Sequence, residues 1–403
     1  MSRTFGVCLL IAFCMPVLAA GQQSAPVGSK STAPESRPKP GKRVRPDYVR
    51  RDRVVTFGAT PVSVAQLEEV VGEAHGGRDK DVARKLSGLE LTERLSAARL
   101  QLWETALSGK KARAELAAMA DASVFLEPPA VEIPALEAPD MTTQQHMLAQ
   151  TVDYLDKSIP KLPSFSVLER VARYEDAMEE PDLDGEAEPS VQPWHATGSF
   201  KNVGHYSKST EGARTGDAKG SPQNVDQSDQ ETNSVFGPLL STVVVDAARG
   251  KITWSRWEQC EAGPRGVFRY EVPEPISHYK VTSHSHSENG HDVFVQKRTS
   301  YHGEIAIDPT SGIISRITLL ADIVPGTAID RSDMMLEYGP VQMGATTYNV
   351  PVRSITISTE HSELQDDSGA PIAVEETTLL DVTFGKYEMK GSELTSSTGP
   401  AAP

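Results

Sequence analysis

The chain has 403 residues, 38% of them hydrophobic and 24% charged, with a formal net charge of −15. Its length allows about two ordinary domains with linkers, and the acidic balance argues against nucleic acid as a partner. Outside the apolar N-terminal run, Cys260 is the only cysteine, so the mature chain is expected to form no internal disulfide and its modules must rest on ordinary apolar cores.

Arg3 precedes an almost wholly apolar run from Phe5 to Leu18, broken by Pro16 and followed by Ala19, Ala20 and Gly21. This is the layout of a secretory signal cleaved near residues 19–21. The run is shorter than the roughly 20 residues a membrane span needs. Phe13 stands before Cys14 where a lipoprotein site needs a small residue. Residues 1–20 are therefore read as a signal peptide, and the mature protein as periplasmic or secreted, without a transmembrane segment. Residues 21–60 are rich in Pro, Ser, Gly and basic side chains, among them Lys30, Arg37, Lys42, Arg43, Arg45, Arg50 and Arg51. Such a segment buries too little apolar surface to order itself, so it reads as a disordered tether. Its charge is either simply solvated or directed at anionic envelope polymers and lipid headgroups.

Residues 61–126 read as a small helical module. Ser63 and Gln66 have capping-box spacing, and Leu67, Val70, Val71 and Ala74 share one helical face. A second helix carries Val82, Ala83 and Leu86. A third is expected to start at Thr92 with the stripe Leu91, Leu95, Ala98 and Leu102, and a fourth carries Ala112, Leu116 and Met119. Short loops between amphipathic helices imply antiparallel neighbours. Residues 127–141 hold four prolines' worth of interruption and form a linker or a strap over the module.

Residues 142–390 are expected to form an antiparallel β domain. A helix bearing Met147, Leu148, Val152 and Leu155 leads in, and the period changes to two at Phe165, Val167 and Val171. Residues 175–193 and 201–234 read as long loops. The stretch from Pro238 to Ala248 holds three consecutive valines. Even so, Leu239, Leu240, Val243, Val244 and Ala247 recur at helical spacing between Pro238 and Gly250, which favours a helix. Strands then follow in quick succession, with turn signals at Asn289-Gly290, at Pro309-Thr310-Ser311-Gly312 and at Gly344. Residues 391–403 read as a polar disordered tail. The expected fold is α+β: a helical module, then a curved, half-barrel-like antiparallel meander with one packed helix.

No standard catalytic signature is present: the chain has no nucleophile elbow, zinc-binding helix, phosphate loop or dinucleotide fingerprint. No catalytic residue and no cofactor is assigned. The alternation at Ile305, Ile307, Ile317 and Leu319, with Trp254 and Trp257, marks a candidate apolar lining. Aromatics on adjacent strands, Phe268 and Tyr270 among them, also suit an ordinary core. His284 and His286 share a strand face, and His291 lies across the hairpin, which suggests zinc, copper or nickel. A hairpin tip full of Ser, Asn and Gly equally suits solvated imidazoles. Asp308, Asp322, Asp330 and Asp333 lack the alternating spacing of a calcium loop. Cys260 is either an apolar filler or an intermolecular thiol.

The run Y-H-G-E-I-A-I-D-P-T-S-G-I-I-S-R-I from Tyr301, with L-E-Y-G-P-V and Y-N-V-P-V-R-S, resembles a family of uncharacterised exported bacterial proteins. The segment L-S-G-L-E-L-T-E-R-L-S resembles parts found upstream in such proteins. In plan, a meander with an inserted helix is similar to the periplasmic lipoprotein carriers, which implies an incomplete barrel around an apolar ligand cavity. These readings lead to an exported, non-catalytic protein whose curved sheet binds a lipid or other apolar ligand, or an envelope protein partner. The alternatives are a scaffolding protein without a ligand and a metal-dependent hydrolase built on the His-rich hairpin.

Overall fold

The computed structural model describes residues 59–389, apart from residues 75, 177–193, 207–237, 261–262, 287–291, 325–328 and 366–370. The expected signal peptide, most of the tether, the tail and the Asn289-Gly290 turn lie outside the described residues. The elements run β1 (Thr60–Val62), α1 (Val64–Glu73), α2 (Asp79–Ser87), β2 (Leu89–Leu91), α3 (Ala97–Ala106), α4 (Lys110–Ala122) and α5 (Met141–Ser158). Next come β3 (Phe165–Asp176), β4 (His195–Tyr206), α6 (Pro238–Arg249), β5 (Lys251–Cys260), β6 (Gly263–Val272), β7 (Lys280–His286) and β8 (Asp292–Arg298). The remainder are β9 (Ser300–Ile307), β10 (Ile314–Asp322), β11 (Ile329–Met343), β12 (Thr346–Gln365) and β13 (Pro371–Met389).

The helical module is built from local signals and one long-range cap. At α1 the Gln66 backbone N–H donates to Ser63 Oγ at 3.2 Å, and the Ser63 N–H donates to Gln66 Oε1 at 2.8 Å. Helix α4 begins at Gly109 without a capping side chain of its own. Its free N–H groups at Lys111 and Ala112 donate instead to Asp79 of α2, at 3.1 and 2.8 Å. These bonds, led by that from Ala112, hold the Asp79 carboxyl below its ordinary value. A Cβ at position 109 would lie 1.9 Å from Asp79 Oδ1, so this contact requires glycine. The third helix differs from expectation. Leu91 sits in β2, which pairs in parallel with β1, and α3 starts only after Ser96. That delay rotates the buried face: Trp103 is buried while Leu102 is 64% exposed.

The described strands form a nine-stranded antiparallel sheet in the order β4-β3-β13-β12-β11-β10-β9-β6-β5. The sheet is open, with β4 and β5 as its edges. Strands β9 to β13 are a simple meander, the β5–β6 hairpin joins beside β9, and β3 with β4 joins beside β13. β7 and β8 pair only with each other. Residues 201–206, expected at the start of a long loop, belong instead to the edge strand β4, whose residues 196–201 are exposed. In the β9–β10 turn, Asp308 Oδ1 accepts from the N–H groups of Thr310 and Ser311, and Gly312 takes φ +72°.

One face of the sheet, the inner face, packs against α5 and α6. Met147 and Leu155 of α5, and Leu239, Leu240, Val243 and Ala247 of α6, meet Phe268, Tyr270, Tyr301, Ile305, Ile317, Leu319 and Leu336. Burying the two leucines and the valine of α6 contributes about 1.5–3 kcal/mol for each side chain. The helix is also pinned by a polar contact: Asp246 is wholly buried and accepts from Tyr301 Oη at 2.9 Å and from the His278 N–H at 2.8 Å. Arg256 and Arg269, on the parity opposite the aromatics of β5 and β6, suggest from the sequence that the other face is wet. In the structure the helical module covers part of it. Ala118, Ala122, Val124 and Phe125 pack there on Tyr174, Trp194, Met335, Ile355, Ile357 and Leu379.

Charged side chains complete that outer contact. Arg94 donates to Glu258 at 2.7 Å, and Glu258 also receives Arg256 and Arg316. Glu304 receives Arg256, Arg269 and Arg316. Burial, together with Arg316 close by, draws Arg94 down to about 10 against the pull of Glu258. Glu258 is held far below its ordinary value: burial opposes its ionisation, but the Arg316 and Arg94 guanidinium groups outweigh it. Further along α4, Arg353 pairs with Asp121 at 2.5 Å and with Asp381 at 2.9 Å. The proline-rich segment is a strap: Glu127 pairs with Arg269, Glu132 with Arg99, and the Glu137 carbonyl accepts from Trp257 Nε1 at 2.9 Å.

Candidate ligand cleft

An open cleft of about 450 Å³ lies at one end of the inner face. Its volume falls within the range of about 300–1,000 Å³ typical of small-molecule sites. Three groups of residues build it. The last turn of α5 and the short 3-10 turn after it supply Tyr154, Leu155, Ile159, Lys161 and Leu162. Phe165, Tyr206 and Leu240 come from β3, β4 and α6. The third group, Ile313, Ile314, Tyr338, Pro340, Tyr348, Val350 and Pro351, stands on β10 to β12 and the turn before β10.

The walls are held by packing and by a few directed bonds. Phe165 stacks on Tyr206 with ring centroids 5.0 Å apart, and lies 5.3 Å from Tyr387. Tyr387 donates its hydroxyl to the Pro351 carbonyl. Asn349 Nδ2 donates to the Ile314 carbonyl at 2.9 Å, which ties the start of β10 to β12. The Tyr338 side chain is 7% exposed, and its hydroxyl oxygen is buried without a hydrogen-bond partner among the described residues. Burial pushes that phenol well above its ordinary value, so it stays neutral.

Three charged residues border the cleft: Lys161, Arg265 and Asp308. Partial burial opposes ionisation of Asp308, but hydrogen bonds from the Ser311 N–H and hydroxyl keep its carboxyl below the ordinary value. No family model, curated protein or solved structure matches this chain. What the cleft can do chemically therefore rests on its lining, which is mostly apolar and aromatic, with Ser, Thr and Asn side chains among it and charge confined to three residues.

The residues expected to line a hollow stand elsewhere on the same face. Ile305, Ile307, Ile317 and Leu319 are each at most 3% exposed, belong to the close-packed core, and are not among the cleft residues. They point inward as their alternation requires, but α5 and α6 fill the space above them. Trp254 and Trp257 are partly buried at the margin of that core, in edge-to-face contact at 4.9 Å. They share a face although three residues apart, because a β-bulge between Trp254 and Arg256 inserts one residue. His284 and His286 lie on β7, opposite Phe294 and Asp292, but their side chains lie outside the described residues, as does His291 altogether. Among the described residues no group of three or more His, Cys, Asp or Glu is placed to hold a metal. Cys260 is half-buried at the end of β5 and donates to the Gly263 carbonyl.

Sequence reasoning passed over Tyr154, Leu162, Tyr206, Tyr338 and Tyr348. The signal available for them was weak: several tyrosines near element ends, where an apolar ring meets solvent with its polar tip.

Proposed function

We propose that this protein is an exported, non-catalytic binding protein that holds an apolar ligand in the cleft between α5 and the ends of β10 to β12. The observation that carries this reading is the cleft itself. It is an aromatic and aliphatic hollow on an otherwise filled sheet face, with an uncovered mouth. Open apolar space of this size is expensive to leave to water unless something occupies it. The plan resemblance to lipoprotein carriers points to the same kind of ligand, at the same face of the sheet. Export is supported by the tripartite N-terminus.

A fluorescent apolar probe such as N-phenylnaphthylamine tests the binding proposal. Saturable binding is expected in the native chain. Thr347→Trp fills the mouth from an exposed position and should weaken binding at least about tenfold without lowering the thermal midpoint. Equal binding by this variant would place the ligand elsewhere. N-terminal sequencing of the envelope fraction tests export. A first residue near position 20 is expected, and an intact N-terminus in the cytosol would refute it.

A further inference from the structure

We infer that the cleft takes a single-chain amphiphile with an anionic carboxylate head, in the chemical class of a free long-chain fatty acid. This rests on the reading of the cleft as an apolar site and adds the identity of the head group. Two observations carry it, both at the mouth.

The first is unspent positive charge. Five arginines at the contact between the outer sheet face and the helical module are paired: Arg94, Arg256, Arg269, Arg316 and Arg353 each stand within 4 Å of a carboxylate. Lys161 and Arg265, which border the cleft, have no ion pair among the described residues. Unpaired cations facing solvent are ordinary on a protein surface. Two of them at the mouth of an apolar hollow, on a chain of net charge −15, make a local field opposite in sign to that of the molecule. A guanidinium also presents its donors in a fork that matches the two oxygens of a carboxylate.

The second is the state of the one acid at the mouth. Asp308 is near enough to Arg265 to feel its charge, which helps hold the carboxyl ionised. Its Oδ1 is taken up by Thr310 and by the backbone and hydroxyl of Ser311. Asp308 is thus a turn-forming group that serves the β9–β10 connection. It offsets one of the two cations and leaves a net positive charge at the mouth. A cationic head would meet repulsion from Lys161 and Arg265, and a neutral head would leave that net positive charge unanswered. The modest volume favours one chain over a branched or two-chain lipid.

Titration calorimetry at pH 8 with ligands of equal chain length, each below its micelle concentration, separates the possibilities. The probes are hexadecanoate, hexadecanol and lysophosphatidylcholine, the last with a choline-capped phosphate head. Hexadecanoate is expected to bind at least about tenfold more tightly than hexadecanol, as hydrogen bonds to charged groups warrant. Added salt should narrow that gap. In Lys161→Gln/Arg265→Gln the two ligands should bind alike, at the affinity of hexadecanol in the native chain, with an unchanged thermal midpoint. Equal binding of hexadecanoate and hexadecanol by the native chain would overturn the anionic head while leaving the apolar cleft intact. A preference that survives the double substitution would overturn its placement at these two residues. Tighter binding of lysophosphatidylcholine would overturn the free carboxylate. If none of the three binds, the reading of the cleft falls and the inference falls with it.

Discussion

At the scale of single residues, two side chains stand out for what surrounds them. The Tyr338 hydroxyl is buried at the cleft without a hydrogen-bond partner among the described residues. An unpaired buried hydroxyl costs about 1–3 kcal/mol, and its removal recovers part of that. Tyr338→Phe is therefore expected to raise the urea midpoint of the ligand-free protein, with an unchanged slope. A lower midpoint would show that the hydroxyl has found a partner. Glu258 is the opposite case. It is the shared acceptor of Arg94, Arg256 and Arg316, with a side chain only 12% exposed. Glu258→Gln leaves three guanidinium groups crowded together with Glu304 alone to serve Arg256 and Arg316. The expected cost is about 3–5 kcal/mol, measured by chemical denaturation at pH 7. The native pair should also show its own pH signature. A carboxylate held below its ordinary value of 4.5 adds stability that is complete above that pH and is lost on acidification below it.

At the scale of elements, α4 is the piece whose docking depends most on protonation. Glu115 sits on this helix near Tyr174 with no cation partner among the described residues, and burial alone lifts its carboxyl to about 7. Between 4.5 and about 7 the folded chain binds a proton that the unfolded chain has released, so this group lowers stability as pH rises through that window. Glu115→Gln should change little at pH 4 and should stabilise at pH 8 by on the order of 1 kcal/mol, allowing for partial exposure. An equal shift in midpoint at both pH values would show that the gain is unrelated to charge. The elements also show which sequence signals carry information. Helix α6 was legible despite Val243, Val244 and Val245, because Leu239, Leu240, Val243 and Ala247 bury at helical spacing. The β9–β10 hairpin was legible from its Pro-Thr-Ser-Gly turn. Strand β4 was not, because an edge strand that exposes most of its residues has no apolar alternation to display. The start of α3 was misplaced because Leu91 serves a two-strand pairing too short to leave a pattern. The cleft was illegible for a different reason. Its walls come from positions as far apart as Tyr154 and Pro351, and each of them alone looks like ordinary core or surface.

At the scale of the whole molecule, one sheet serves two cores. Inner-face residues such as Ile317, Leu319 and Leu336 pack under α5 and α6, while Met335, Ile355 and Ile357, on the alternate positions of neighbouring strands, pack under α4. A strand cannot lose one layer and keep the other unstrained, because the same backbone ladder carries both. The helical module has its own core around Leu67, Leu86, Trp103 and Leu116, which on its own suggests a separately stable unit. Against that stand the Arg94–Glu258 and Arg353–Asp121 pairs, both largely removed from solvent, and the packing of Trp194. Breaking these contacts strips Arg94 and Asp121 of their ion-pair partners, while Glu258 keeps Arg256 and Arg316 and Arg353 keeps Asp381; removing one partner from a largely buried pair costs more than the exposed surface alone would give. The module and the sheet are therefore expected to unfold together. Trp103 reports on the helical core and Trp254 with Trp257 on the inner face. Variants that retain only one of these reporters, with Phe at the other Trp positions, should give coincident urea transitions. A helical reporter that melts first, with the sheet reporters still native, would show that the outer layer is an independent domain resting on the sheet and that the ion pairs between them contribute little to holding the molecule together.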